Sequence, residues 1–426
     1  MSTTRKTTAK TRASKTASKQ SNADVLVAGA GYVGLATALS IANGVPDLKI
    51  VVADAAPDDV WQNDGRASAI AAAASRMLAE LGCWKSIAPH AQPINEMIIT
   101  DSRTSDPVRP VFLTFGDNAI DDEPFANMVP NVEMIRALRD QCKKAGITIL
   151  QNAPVTAYED SEGNASLLVS YGKDQNIKTK LLIACDGVKS QLREKAGIKS
   201  VHWDYGQSGI VATIAHERSH EGRAEEHFLP GGPFAILPLT NNRSSIVWTE
   251  PTANAERLLA ADEFTFDIEL EQRFGLKLGD IKVETPPRAY PLGLTLARDF
   301  VRPRFALAGD AAHGIHPIAG QGLNLGFKDA AALAETIVEA HRLGLDIGTI
   351  DVLERYQIWR RFDTVQMGVT TDILNRLFSN DIGPLRALRS MGLSVVDRLP
   401  ALKNFFIGQA SGTTGDTPRL LRGESI

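Results

Sequence analysis

The sequence is poor in cysteine and holds no zinc-like pattern of cysteine and histidine. Its three cysteines, Cys83, Cys142 and Cys185, are odd in number and widely spaced, which excludes a disulfide framework and is typical of a reducing cytoplasm. No metal site is expected, because the histidines and cysteines lack the short spacings that such ligands show. We interpret the three thiols as packing residues.

A long uninterrupted hydrophobic run is also missing. The most apolar stretch, residues 25–45, contains several glycines arranged as a turn, so no membrane span is expected. Residues 1–23 hold six Lys or Arg and no acid within a chain of net charge −4, which leaves about −10 on the rest. The body of the chain therefore has no basic footprint for nucleic acid. The basic residues 1–23 lack the leucines and aromatics of an amphipathic transit helix, and we interpret them as a disordered tail.

The first ordered unit has the pattern strand, glycine turn, helix, strand. Residues 24–28 form the apolar strand, and the second strand follows at residues 49–53. Between them stand Gly29, Gly31 and Gly34, which is the spacing of a dinucleotide fingerprint. The first glycine permits a tight turn, the second lets the backbone approach a pyrophosphate, and the third allows close packing of helix on strand. The free backbone N–H groups at the start of the helix favour the binding of an anion such as a pyrophosphate.

An acid completes this unit. Asp54 follows the second strand, twenty residues after the last glycine, where it would accept hydrogen bonds from an adenosine ribose. The unit therefore predicts a dinucleotide, but it does not distinguish NAD from FAD.

A second segment, far along the chain, favours FAD. A predicted strand ends in Gly309 and Asp310, which puts a carboxylate where ribityl or ribose hydroxyls would bind. The helix that follows would direct its N-terminal amides at a flavin ring, and such donors stabilise the anionic reduced flavin. A nicotinamide dehydrogenase has no need of this second cradle. Its further candidate binding residues are Gly320, Gly322, Leu323 and Asn324.

A third segment again ends a strand with an acid and a glycine. Asp186 and Gly187 would lie near the cofactor if this segment belongs to the same site. The alternative is a plain turn from strand to helix, in which Asp186 caps the helix.

These three segments, in this order, resemble those of the class A flavoprotein monooxygenases of the para-hydroxybenzoate hydroxylase type. The resemblance implies that Gly29, Gly31, Gly34 and Asp54 bind the ADP half of FAD. Asp186 and Gly187 would then lie near FAD and a transiently bound NAD(P)H, and Asp310 would hold the ribityl region. Arg66 occupies the place of a family arginine that contacts FAD, and its alternative is a solvated loop charge.

Within that class the sequence resembles one family more specifically. The run from His313 to Asp329 is similar to the signature of the ubiquinone-biosynthesis hydroxylases, with support from Trp203 to Gln207, Gly232 to Leu239 and Pro418 to Gly423. The family implies hydroxylation of a prenylated phenol by molecular oxygen through a flavin hydroperoxide, in which the cofactor supplies the difficult chemistry. The substrate is expected between the flavin and a sheet formed by residues 201–283.

The catalytic base is the least determined part of the site. His313 and His316, with the adjacent Pro317, are the candidate catalytic residues, because histidine titrates near neutral pH and would assist deprotonation of a phenol. The alternative is that both histidines only orient the loop through hydrogen bonds.

The sequence as a whole indicates an α/β fold. An FAD-binding Rossmann-like domain is interleaved with an α+β substrate domain built on a mostly antiparallel sheet, and C-terminal helices follow. Two cores suit a chain of 426 residues. After the tail at 1–23, we expect the FAD-binding domain at 24–92, 125–192 and 286–345, the substrate domain at 93–124 and 193–285, and the helical region at 346–426.

Two rival functions and two partner questions stay open. The rivals are a hydroxylase of a small soluble aromatic acid, which predicts an arginine in the pocket, and a non-catalytic FAD-bearing scaffold of a quinone-biosynthesis complex. Residues 385–406 mix basic and apolar side chains, which is typical of a segment that contacts membrane or partner proteins and equally of a packing helix. The expected location is cytoplasmic. If residues 385–406 contact a membrane, the enzyme is expected to bind peripherally to the inner membrane.

Overall fold

The computed structural model describes residues 21–102, 104, 109, 111–116, 123–161, 163–315, 321–378 and 416–426. In these ranges the strands are β1 (Ser21–Ala28), β2 (Ile50–Ala53), β3 (Ala67–Ala71), β4 (Gln92–Ile94), β5 (Glu96–Asp101), β6 (Val111–Phe115), β7 (Ala126–Pro130), β8 (Thr148–Leu150), β9 (Val155–Ser161), β10 (Ser166–Tyr171), β11 (Gln175–Ala184), β12 (Ser200–His216), β13 (Arg223–Leu229), β14 (Gly232–Leu239), β15 (Arg243–Pro251), β16 (Ile281–Val283), β17 (Arg288–Ala297), β18 (Val301–Arg302), β19 (Phe305–Leu307) and β20 (His313–Gly314). The α-helices are α1 (Tyr32–Gly44), α2 (Ala72–Glu80), α3 (Trp84–Ile87), α4 (Asn131–Lys144), α5 (Gln191–Lys195), α6 (Thr252–Leu259), α7 (Glu263–Phe274), α8 (Gln321–Arg342) and α9 (Ile350–Phe378).

The first sheet is the centre of the dinucleotide-binding part. Its main path runs in the order β18-β19-β11-β1-β2-β8, and the pairs from β19 to β8 are parallel. All four residues of β2 are buried, as expected for a strand covered on both faces. Helix α1 packs against α4 and α8, so the apolar runs of strands and helices form one core. The carboxyl ends of β1, β11 and β19 therefore meet at one edge, where ligands bind in such folds.

The second sheet has nine strands and is antiparallel except where β5 pairs with β13. Its residues alternate between two faces, as the pleat requires. One face carries Phe234 and Trp248, which pack with Phe266 of α7 in a separate core. The other face turns toward the first domain. Because the strands of this sheet come from between segments of the first, the interleaved α/β fold is confirmed, as are C-terminal helices.

Some details differ from the sequence-based predictions. The alanine-rich residues 67–81 have the composition of a helix, but residues 67–71 form β3, which pairs with β7, and only then does α2 begin. Alanine has the highest intrinsic helix propensity, but this bias is small per residue, and strand pairing overrides it here. The predicted sheet of residues 201–283 is interrupted by α6 and α7. Strand β1 already begins at Ser21, inside the predicted tail.

The return to the first domain also comes later than predicted. Strand β17 pairs along ten residues with β12 in the second sheet, so the chain stays in that sheet beyond residue 286, as far as Ala297, and β20 returns to it. The long β12 provides this pairing surface, which the local sequence of β17 does not reveal. None of the described helices is both long and apolar enough to traverse a bilayer.

Candidate cofactor and substrate site

A cavity of about 540 Å³ lies between the two sheets. Its size is in the range of ligand pockets in proteins. Three groups of residues line it, and one of them, from the three-stranded sheet β3-β7-β4, comprises Ala67, Ser68, Ala69, Ile94 and Ala126. The other two groups come from the parts of the fold described above. The first comes from loops and helix starts of the dinucleotide-binding part, and includes Gly31, Gly34, Arg66, Gly187, Asp310, Gly322, Leu323 and Asn324. The second comes from β5 and the inward face of the second sheet, and includes Met97, Ala224, Glu226, Ala235, Leu237, Val247 and Thr249.

The three fingerprint glycines have different surroundings. Gly29 has a φ of +110°, and a Cβ there would lie within 3.0 Å of the Cys185 carbonyl. A Cβ on Gly34 would lie within 3.0 Å of the Gly29 carbonyl oxygen, so these two positions require glycine for the turn itself. A Cβ on Gly31 would meet no atom within 4 Å. Gly31 stands at the start of α1 and lines the cavity, which leaves open space beside a helix N-terminus.

Asp54 lies at the end of β2 and touches the fingerprint loop. Its carboxylate accepts a hydrogen bond from the backbone N–H of Ala30 and another, at 2.6 Å, from that of Ala56. The acid therefore braces the glycine turn. It is not one of the residues that line the cavity.

Arg66 lines the cavity and pairs with Asp64. Its guanidinium donates two hydrogen bonds of 2.8 Å to that carboxylate. Asp64 also accepts from Asn131 Nδ2 at 3.1 Å and from the Tyr32 hydroxyl at 3.0 Å. Burial alone would raise the pKa of Asp64, but Arg66 and Asn131 hold it at about 2. The Arg66 charge is thus held at the cavity by an acid that sequence reasoning did not single out.

The Gly309-Asp310 turn is anchored by a buried ionic cluster. Asp310 lines the cavity, and the backbone N–H of Gly309 donates to Asp329 at 2.9 Å. Asp329 is 0% exposed and also bonds His313 Nε2 and Arg360 Nε, the latter at 2.9 Å. Burial would raise the pKa of Asp329, but His313 and Arg360 together hold it below its ordinary value. The turn is therefore fixed by charges brought together from α8 and α9.

This cluster bears on the candidate catalytic residues. His313 is 0% exposed, is absent from the cavity lining, and directs Nε2 to Asp329. This geometry does not support a catalytic role for His313 and favours the alternative reading, in which it orients the loop. His316, Pro317 and Gly320 lie outside the described residues.

The Asp186-Gly187 turn contributes its glycine to the cavity. Gly187 has a φ of +85° and lines the cavity, whereas Asp186 does not. Asp186 was considered as the cap of the following helix, but the cap of α5 is Ser190, whose hydroxyl accepts from Arg193 N at 3.0 Å. Asp186 only accepts a longer bond of 3.4 Å from Leu192 N.

Asn324 joins the start of α8 to β3. Its Nδ2 donates to the Ala69 carbonyl at 3.0 Å, and its Oδ1 accepts from Ala71 N at 2.9 Å. The amide thereby satisfies two backbone groups of a strand whose residues Ala67 to Ala69 line the cavity. Neighbouring Leu323 lies in the lining itself.

Replacing Asn324 by Asp is expected to lower the free energy of unfolding by about 1–3 kcal/mol, because a carboxylate oxygen would face the Ala69 carbonyl without a proton between them. Urea denaturation of the FAD-loaded protein at neutral pH measures this loss. Asn152→Asp makes the same chemical change at an exposed loop position and should alter stability little. Equal stability of the two variants would contradict the bridging role.

Comparison with known proteins agrees with this geometry. The chain matches the FAD binding domain family over residues 22–362. It is 42% identical to ubiquinone hydroxylase UbiL of Rhodospirillum rubrum, with 96% of this chain and 94% of that protein covered. It is 32% identical to 3-demethoxyubiquinol 3-hydroxylase of Escherichia coli, with 91% and 98% covered.

A solved structure shows the same fold. The crystal structure of p-nitrophenol 4-monooxygenase PnpA of Pseudomonas putida superimposes with a TM-score of 0.75 at 19% identity, and the match covers 93% of this chain and all of that one. The sequence match along nearly the whole chain and this shared architecture agree with each other. The chain therefore belongs to the ubiquinone-biosynthesis hydroxylase family and is an FAD-dependent monooxygenase, a family whose typical reductant is NAD(P)H.

Proposed function

We propose that this enzyme hydroxylates the aromatic ring of a prenylated phenol in ubiquinone biosynthesis, with molecular oxygen as co-substrate. The observation that carries the proposal is a cavity that joins dinucleotide-binding loops to an apolar sheet face. The full-length similarity to ubiquinone hydroxylases supports the substrate class. Such a substrate places its ring against the sheet and next to the flavin.

The residues present fit FAD. Open space at Gly31 beside the start of α1 suits a pyrophosphate, and we assign the ADP half to Gly29, Gly31, Gly34 and Asp54. The ribityl region falls to the Gly309-Asp310 turn, and the ring to Gly322, Leu323 and Asn324, with Arg66 and Gly187 beside it. Bound FAD supplies the redox and oxygen-activating chemistry. The chain binds the cofactor, orients the substrate and excludes water.

The sheet side of the cavity suits a phenol better than an aromatic acid. Met97, Ala235, Leu237 and Val247 form an apolar wall against which a ring can pack. An acid substrate requires a free cation, yet Arg66 is the sole basic side chain among the described lining residues, and it is paired with Asp64. Glu226 in the same wall would repel a substrate carboxylate.

The apolar tail of such a substrate brings a further expectation. A prenyl chain resides in a bilayer, so we predict peripheral contact of the enzyme with the inner membrane. Residues 385–406, the candidate segment, lie outside the described residues. Assembly with other enzymes of quinone biosynthesis also stays a prediction.

Mass spectrometry of quinone precursors in a strain that lacks this protein tests the function. We expect a prenylated phenol that is short of one hydroxyl to accumulate, and a plasmid copy of the gene to restore the quinone. A normal quinone pool would refute the substrate assignment. Purified protein that binds flavin but shows no substrate-stimulated NAD(P)H oxidation would favour the scaffold alternative.

A further inference from the structure

One carboxyl group in the cavity has no use in the site described so far. Glu226 lies in the middle of β13, and the residue is 4% exposed. It lines the cavity, yet its carboxyl group takes part in no side-chain hydrogen bond or ion pair with the described part of the chain. An acid buried without a partner costs free energy, and its position in the wall of a cavity makes it a candidate to bind a ligand.

The pleat of β13 explains why the Glu226 carboxyl group lacks a partner side chain. Glu225 and His227 point to the other face, where Glu225 pairs with Lys277 at 2.6 Å and His227 Nδ1 lies 2.8 Å from the Thr100 hydroxyl. On the cavity face, Glu226 is opposite Ala235 of β14, and Ala235 is in turn opposite Val247 of β15. Neither neighbour offers a hydrogen-bond donor.

We propose that Glu226 binds the hydroxyl group of the phenolic substrate and takes its proton. The proposal rests on the proposed function and names the residue that activates the ring. The phenol O–H bond breaks, the proton passes to a carboxylate oxygen of Glu226, and the electron pair stays on the phenol oxygen. That oxygen enriches the ring carbons ortho and para to it, and one of these carbons would form a bond to one oxygen atom of O2. The other oxygen atom would leave as water, with two electrons from NAD(P)H supplied through the FAD that the site would hold. The attacked carbon then loses its C–H proton, which restores the aromatic ring, while Glu226 returns its proton to the phenol oxygen and is ionised for the next turnover.

The electrostatic setting suits this role. Burial raises the pKa of Glu226 to about 7, so the group exchanges a proton near neutral pH, as an effective general base does. The charged groups of the adjacent elements are already paired: Arg223 with Glu96, and Arg66 with Asp64. Asp310, the remaining acid of the lining, belongs to the turn assigned to the ribityl region. No fixed cation competes with the phenol for Glu226 in the described lining.

Steady-state kinetics of Glu226→Gln against pH test the proposal. The wild type is expected to lose kcat/KM for phenol hydroxylation as the pH falls through about 7, because the carboxylate is then protonated. The variant should lack this acidic limb and be slower by on the order of 10² at pH 8. Glu226→Asp, which keeps the carboxylate, should recover part of the rate.

Two controls show whether a change in rate comes from loss of the Glu226 carboxylate or from a disturbed fold. Glu225→Gln removes the neighbouring charge from the opposite face and should keep the wild-type pH profile. Flavin absorbance should be unchanged in every variant. Ultraviolet difference spectra of a bound simple phenol at pH 8 should show the red shift of a phenol hydroxyl that donates to a carboxylate in the wild type, and a smaller shift in Glu226→Gln.

The outcomes are distinct. If the pH profile and the spectral shift of the bound phenol are both unchanged in Glu226→Gln, the role of Glu226 is overturned and the proposed function still stands. A wild type and Glu225→Gln variant that bind FAD but hydroxylate no phenol would overturn both.

Discussion

Replacing Arg360 by Met is expected to lower the free energy of unfolding by about 3–5 kcal/mol and to weaken FAD binding, because it leaves a buried carboxylate without its cation. Arg360 and Asp329 are both 0% exposed and lie 2.9 Å apart. Asp329 also accepts from the Gly309 backbone, so a displaced carboxylate would disturb the turn that carries Asp310. Methionine fills much of the volume of the arginine stem, which confines the change to charge and hydrogen bonding.

The pH dependence has a defined sign. The folded protein holds the pKa of Asp329 below its ordinary value of 3.8, so the stability from its ionised form is present above that pH and is lost as the pH falls further. In Arg360→Met the pKa of Asp329 rises, because a cation is lost. The gap in stability between wild type and variant should therefore be wide at neutral pH and narrow in acid.

Urea denaturation of the FAD-loaded protein at several pH values measures the effect. Arg355→Met, on the same helix, removes an exposed pair with Glu339 and should cost less than about 1 kcal/mol. Adding Asp329→Asn to Arg360→Met removes the unpaired carboxylate charge and should recover part of the lost free energy of unfolding. A variant as stable as Arg355→Met would show that the cluster does not stabilise the fold.

Gly34→Ala and Gly31→Ala are expected to have different effects: the first lowers stability, and the second lowers FAD affinity. At Gly34 the new Cβ meets the Gly29 backbone oxygen, which cannot move without opening the fingerprint turn. We expect a loss of about 3 kcal/mol in unfolding free energy, together with loss of flavin. At Gly31 the backbone has φ −75° and ψ −178°, which alanine adopts freely, and the Cβ meets no protein atom within 4 Å.

Gly31→Ala should therefore leave the flavin-free protein within about 1 kcal/mol of wild type, the cost of a weaker helix cap. Its methyl group would occupy the space assigned to the pyrophosphate, so FAD affinity should fall by on the order of 10². Flavin absorbance titrations and denaturation of the flavin-free proteins separate the two effects. Full FAD affinity in Gly31→Ala would show that the pyrophosphate lies elsewhere.

Much of the structure on the dinucleotide-binding side of the cavity was predictable, because it depends on residues that are close together in the sequence. Gly34 is required by a backbone contact within the fingerprint turn, Gly29 is required by its φ of +110°, and the strands on either side are short apolar runs. Local steric requirements of this kind are visible in the residue types themselves. The same holds for the turn at Gly309 and Asp310, although its anchor at Asp329 and Arg360 was missed, since pairing across 31 positions leaves no local trace.

The interleaved α/β fold and the flavin site were predictable from short-range patterns, because backbone geometry at glycine turns and the burial of apolar strands depend on neighbouring residues. The family followed from the resemblance of the motifs. Which of two adjacent acids, Glu225 or Glu226, faces the cavity could be read only from the three-dimensional structure. Both are glutamates within a strand of mixed polarity, and the pleat turns one toward Lys277 and the other into the cavity. That choice depends on the register of β13 against β14 and β5, which are pairings between distant parts of the chain.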